Sequence, residues 1–202
     1  SDQMTSIWNN YAKGAENLEY FVDVLTALGA ATASSTEEIS TGLRKFSAVA
    51  ESVGLSYEYA TAALATVTAT TRESADVVGT AYKTLFSRIQ GLQLGETLDD
   101  GTTLNKYSTA LEKVGINIKD QFGELKDMNI ILNEMGSKWE TLSKDQQLAL
   151  AQTVAGVRQY TQLVALMDNW DYFQENLKVA YESTGELNKQ AEIYAESWEA
   201  AQ

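Results

Sequence analysis

The chain contains no histidine, no cysteine and no proline in 202 residues. The first two absences exclude whole classes of chemistry. No Ser-His-Asp triad, Cys-His dyad, His- or thiolate-based zinc site, haem or iron–sulfur centre can be built from the side chains that remain. Disulfides are excluded too, so cysteine usage says nothing about redox compartment. The absence of proline removes the strongest helix breaker from every position. Cations are scarce: 15 Lys and Arg stand against 28 Asp and Glu, a formal net charge of −13. The deficit is even, with 6 basic against 13 acidic side chains in residues 1–101 and 9 against 15 in residues 102–202. The densest run of cations is the pair Arg44-Lys45. Such a chain repels polyanions, so no direct nucleic-acid binding is expected of it. Long apolar runs are missing as well. The longest uncharged stretches, 24–36 and 59–71, are 13 residues each, short of the roughly 18–20 that span a bilayer. The N-terminal Ser1-Asp2-Gln3-Met4 shows no basic region leading into an apolar signal core.

What is present is ordinary globular material, 44% apolar and 21% charged, enough for a sizeable core. The apolar residues recur at helical intervals. Ile7, Tyr11, Ala15, Leu18, Val22 and Leu25 form one stripe and predict a helix over about 4–28. Ile39, Leu43, Phe46 and Val53 predict a second over about 36–53. Tyr57, Ala60, Leu64 and Val67 mark a third, Val78, Ala81, Leu85, Ile89 and Leu92 a fourth, and Leu104, Tyr107, Leu111 and Val114 a short fifth. Leu125, Met128, Leu132, Met135, Trp139 and Leu142 come next in strict a/d spacing. From Leu148 to Met167 apolar residues occupy more than one face, which predicts a centrally buried helix that Trp170, Phe173, Leu177 and Tyr181 continue. Leu187, Tyr194 and Trp198 predict a last one. The expected fold is all-α, a compact irregular bundle of about seven to nine helices.

Punctuation agrees with the stripes. Ser35-Thr-Glu-Glu38, Thr70-Thr-Arg-Glu73 and Ser143-Lys-Asp-Gln146 each fit the capping box. Val53-Gly54-Leu55-Ser56 and Val114-Gly115-Ile116-Asn117 read as helix stop, apolar contact and new cap in four residues. These marks reverse the chain, so a bundle is expected and not a rod. Residues 91–103 form the one long loop and the expected mobile or contacting segment. The domain expected is a single helical unit over 1–202, with that loop as the one place where it could divide. Starting without Met and ending in a helical pattern, it reads as a fragment of a longer protein.

Several runs carry a family resemblance: Ala27 to Leu43, Phe46 to Leu64, Gly79-Thr-Ala-Tyr-Lys-Thr-Leu-Phe-Ser-Arg88, Leu125-Lys-Asp-Met128, Gly136-Ser-Lys-Trp139, and Leu148 to Gln159. In this order they resemble the core region of phage tail tape-measure proteins, the large minor tail proteins of long-tailed phages and prophages. The resemblance implies a mostly helical virion component whose length sets that of the tail tube. It implies tail tube protein, tail assembly chaperones and other copies of itself as partners. Its implied locations are the tail tube lumen of the virion and, during assembly, the bacterial host cytoplasm. Release during genome ejection is implied too. Some members carry murein-cleaving or membrane-active segments, and a helical domain of either kind assisting DNA entry is the alternative reading.

No catalytic, cofactor or metal residue is assigned, no cofactor is expected, and the chain is not expected to be an enzyme. Glu196-Ser197 is superficially similar to the Glu-Ser of lytic transglycosylases, but lies on an amphipathic stripe that a solvated helix face explains. Asp99-Asp100-Gly101-Thr-Thr-Leu-Asn105 fails calcium-loop spacing and reads as a turn. Arg88 and Arg158 lie in apolar surroundings, so each should find a carboxylate or helix C-terminal carbonyls. A clamp within the bundle is favoured for both over an interface to the tube or a partner copy. The 125–142 stripe spans about two and a half heptads, and core filling is favoured over a seam between copies. Trp8, Trp139, Trp170 and Trp198 are read as core anchors.

Overall fold

Helices form where the periodic stripes and caps coincide. The structure is a computed structural model and describes residues 18–183 together with Ile7. Among them are nine α-helices: α1 (Leu18–Thr32), α2 (Thr36–Ser52), α3 (Tyr57–Thr71), α4 (Ala75–Gln93), α5 (Leu104–Glu112), α6 (Met128–Lys138), α7 (Lys144–Ala155), α8 (Tyr160–Asp168) and α9 (Trp170–Glu182). A 3-10 turn, Trp139–Thr141, continues from α6. The fold is all-α, as the stripes predict. The last predicted helix, Glu196-Ser197, Trp8 and Trp198 lie outside the described residues.

Two of the three capping boxes form, at Ser35 and Ser143, each hydroxyl accepting from the N3 amide while the N3 side chain reaches back. The third does not. Helix α3 runs through Thr71, Arg72 closes it at φ +61°, and Ser74 caps α4 by accepting from Val77 N at 3.2 Å. Gly54 and Gly115 hold φ of +87° and +81°, and Leu55 N and Ile116 N bond back to Ala50 O and Leu111 O. Both junctions end a helix as the residues suggest, but they open different segments. Ser56 caps α3, whereas Asn117 begins a hairpin-like loop bridged at Lys119 and Leu125. Leu125 is therefore not helical, and the a/d stripe becomes helix only from Met128. Met128, Leu132, Met135 and Trp139 are all buried in the core of this chain.

The centre of the bundle is α3 and not the predicted 148–167 segment. Helix α3 packs on α1, α2, α4, α8 and α9, and every residue from Tyr57 to Val67 is buried. Its threonines disguise this in the sequence. Thr61 Oγ1 donates to Tyr57 O at 2.6 Å and Thr66 Oγ1 to Ala62 O at 2.7 Å. A hydroxyl satisfied one turn back leaves a methyl for packing. Larger polar groups on α3 are paired across helices. Tyr59 OH donates to Asn133 Oδ1 at 2.8 Å, Asn176 Nδ2 donates to Thr66 Oγ1 at 2.9 Å, and Tyr20 OH donates to the Glu58 carboxylate. Around this axis, α2 and α4 make the most extensive helix pair, and α9 lies across α3 and α1.

The predicted 148–167 helix is two helices. Gly156 breaks it at φ +88°, ψ 156°, a region that essentially only glycine adopts. The chain resumes at Tyr160, and Asn169 offsets α8 from α9 in turn. Apolar residues on several faces of 148–167 reflect two short helices facing different neighbours: α7 meets α4 and α5, while α8 meets α3 and α4.

Candidate functional site

A surface concavity of about 880 Å³ lies between α4, the 94–103 loop and the turn after Gly156. Its construction depends on Arg88. The Arg88 side chain is 12% exposed, and every part of its fork is used. Nη2 donates to Thr153 O at 2.8 Å and Nε to Val154 O at 3.3 Å, at the C-terminal end of α7, while Nη1 meets Asp100 Oδ2 at 3.0 Å. The cation thus sits where helix carbonyls lack intrahelical donors. It ties the loop to the bundle as well. Asp100 Oδ1 also accepts from Thr102 N at 3.0 Å. Hydrogen bonding from Thr102, aided by the Arg88 charge, holds the Asp100 carboxyl below the usual carboxylate range. Of the run 99–105, the acidic part is a braced turn, as its spacing suggests, while Leu104 and Asn105 open α5.

Arg158 corrects the expectation made for it. It is exposed in the turn after Gly156, and among the described residues it makes no ion pair. Breaking the helix at Gly156 carries it out of the core. It lines the groove, as do Lys83 of α4, Glu96, Leu98 and Asp99 of the loop, and Val157.

A second concavity of about 600 Å³ is lined by Gly136, Glu140, Asp168, Trp170, Asp171 and Tyr172, among others. Trp170 lies flat on Gly136, where a Cβ would enter the indole ring, and it stacks on Phe173 at 4.8 Å. Trp139 Nε1 donates to Asp168 Oδ1 at 2.7 Å. Both described tryptophans are core anchors, and the Asp168 oxygen is committed to the indole.

Among the described residues no three metal-type ligands cluster, and no helix is long and apolar enough to cross a membrane. What the surface offers is shape and charge. The groove was not legible in sequence, because its walls come from residues 80–100 and 155–159, brought together by the packing of α4 on α7. Arg88 and Arg158, as guanidinium groups among apolar neighbours, and the 91–103 loop gave the only signals.

Two predictions concern the Arg88 clasp. Arg88→Met keeps the packed stem but removes charged hydrogen bonds, each worth about 1.5–3 kcal/mol. Urea unfolding should show a loss of about 2 kcal/mol, and limited proteolysis should cut within 94–103 faster. For Asp100 the folded pKa lies below the unfolded value. Its stabilisation is therefore present above the unfolded value, near ~3.9, and disappears as pH falls through the depressed folded one. Below about pH 4, Asp100→Asn should lose stability less steeply than the parent in urea midpoints taken at successive pH values.

No solved structure matches the chain. The model of one protein family, described as phage-related minor tail protein, matches residues 1–156. The match ends at Gly156, the break between α7 and α8, and takes in α1 to α7, Arg88 and the loop it holds. The acidic helical bundle carries no feature at odds with a structural part, and the match, over most of the chain, shows its family: this chain belongs to the phage-related minor tail protein family, a structural component of the phage tail.

Proposed function

We infer that the chain is a helical module of a tape-measure protein, the scaffold that sets tail tube length during assembly and is released during genome delivery. The family match over residues 1–156 carries this reading, supported by the ordered runs that resemble tape-measure cores. The partners proposed are tail tube protein, assembly chaperones and other copies of the chain. The proposed locations are the tube lumen of the virion and the host cytoplasm during assembly.

The fold bears on how such a module would contribute. One unbroken helix of this length would reach roughly 300 Å at ~1.5 Å per residue. A compact chain of the same length has a radius of gyration of about 16–17 Å. With its helices folded back around α3, the module adds little to a ruler. Length would come from rod-like parts of a longer chain, and this segment, acting as one domain, would dock or terminate the assembly.

In-frame deletion of the segment from the full tail protein, with electron microscopy of the products, tests this. The expected result is failed or irregular assembly without proportionate shortening. Normal tails shortened by roughly 300 Å would show that the segment runs extended in the tube. Tails unchanged in number and length would overturn the tape-measure reading. A zymogram on cell-wall material should show no clearing, and dye should stay inside liposomes.

A further inference from the structure

We propose that Asp100-Gly101 is a site of spontaneous covalent self-modification, held closed by the Arg88 clasp, at which isomerisation of the aspartate permanently releases the 94–103 loop. It is the one place in the sequence where glycine follows an aspartate or an asparagine. Glycine matters because the reaction brings its amide nitrogen against the preceding side chain, and no Cβ stands in the way. Water is the only co-reactant. Gly101 N attacks Asp100 Cγ, the new N–C bond closes a five-membered imide, and a carboxyl oxygen leaves as water with the acid proton and the amide proton. Water then opens the ring at either carbonyl. One opening restores Asp100. The other leaves the main chain running through Cβ and Cγ, one carbon longer, with a free carboxylate directly on Cα. Mass and net charge are unchanged.

Access is not the obstacle. The Asp100 side chain is 37% exposed, and nothing lies within 4 Å of where a Cβ on Gly101 would stand. Hydrogen bonding keeps the site shut. The nucleophile is engaged, since Gly101 N donates to Leu98 O at 2.8 Å. So is the carboxyl: Oδ1 accepts from Thr102 N at 3.0 Å, and Oδ2 accepts from Arg88 Nη1 at 3.0 Å. Leu98 N closes the same turn on Thr102 O at 2.9 Å. Loss of water also needs the protonated acid, and hydrogen bonding from Thr102 together with the Arg88 charge keeps Asp100 ionised. Arg88 is itself fixed to Thr153 O and Val154 O, so the brake is anchored in the bundle and not in the loop. After isomerisation the clasp does not re-form. The carboxylate stem is a methylene shorter and the turn a carbon longer, so the oxygens no longer meet Arg88 and Thr102 N together. The change therefore runs one way, freeing the loop that walls the groove. This chemistry is independent of what the chain assembles with.

Timed incubation of the 202-residue chain in mildly acidic buffer tests it, with digestion and chromatographic separation of the isomeric peptides before mass spectrometry. The folded parent should accumulate isoaspartate at position 100 slowly. The parent in concentrated urea should do so about tenfold faster or more, because the reaction draws on the open loop. Arg88→Met, checked by circular dichroism to be folded, should also exceed the folded parent by about tenfold. Arg88→Lys, which keeps the charge but loses the fork, is the second variant and should fall between them. Asp100→Glu, which would have to close a six-membered ring, should give no product there. In aged parent, chains cut within 94–103 by limited proteolysis should be enriched in isoaspartate over uncut chains. A folded parent that reacts as fast as the parent in urea overturns the proposal, as do folded Arg88 variants no faster than the parent. Isoaspartate arising first at another aspartate overturns it too, and cut chains no richer in isoaspartate than uncut ones would remove the release of the loop.

Discussion

A chain ended at Gly156 should lose its cooperative thermal transition and bind hydrophobic dyes, although it retains all the residues the family model matches. The reason is where the missing helices lie. Helices α8 and α9 both pack on α3, and α9 also covers α1. They contribute Leu163, Leu166, Met167, Trp170, Phe173 and Leu177, all buried. Each large apolar side chain is worth about 1.5–3 kcal/mol on burial. Six of them amount to on the order of 10 kcal/mol, comparable to the ~5–15 kcal/mol that holds a whole domain together. Polar partners go with them: Asn176 leaves Thr66, and Asp168 leaves the Trp139 indole. Phe173→Ala isolates the effect without shortening the chain. Its ring is fully buried, 4.8 Å from both Tyr59 and Trp170, and its loss should cost about 3–5 kcal/mol in urea unfolding. A truncated chain that melts cooperatively would show that α1 to α7 form a core of their own.

Gly79→Ala should be damaging out of proportion to its one added carbon. A Cβ at Gly79 would stand 3.0 Å from Gly42 Cα and closer still to the Gly42 carbonyl oxygen. Both obstacles are backbone, so no rotamer change relieves them. The two helices would have to separate along the most extensive helix pair in the bundle. Overpacking of this kind costs about 1–3 kcal/mol, occasionally more, against a gain of up to ~1 kcal/mol in helix propensity. The melting temperature should fall by roughly 5 °C, at about 2–4 °C per kcal/mol for a chain of this size. Gly91→Ala on the same helix is the control. Its nearest neighbour would be the carboxylate end of Glu96 at 2.9 Å, which can swing away, so that variant should be neutral or slightly more stable. Equal gains at the two sites would mean that helix propensity and not close approach governs α4.

The contrast between these glycines bears on what was legible beforehand. Nothing in the local sequence separates Gly79 from Gly91, since both interrupt the same helical stripe. Only the crossing of α4 over α2 makes one of them indispensable. Arg88 and Arg158 divide in the same way. Both looked like cations among apolar residues, and one became a clasp while the other came to the surface. The difference lies at Gly156, whose break was hidden because apolar residues continue on both sides of it.

Periodicity, caps and the Gly54 and Gly115 junctions could be read directly, because each rests on interactions spanning a few residues: a hydroxyl on an N3 amide, a carbonyl one turn back, a stripe every 3.6 residues. These gave most of the helices and the reversals at Gly54 and Gly115, and the lack of His, Cys and Pro narrowed the chemistry. The identity of the central helix, the closeness of Gly42 to Gly79 and the groove beside Arg88 came from contacts between residues far apart in the chain. A threonine looks polar until its hydroxyl is seen bonded one turn back and its methyl packed. Burial belongs to the way helices meet, and a stripe records that a helix has a partner without naming which helix it is.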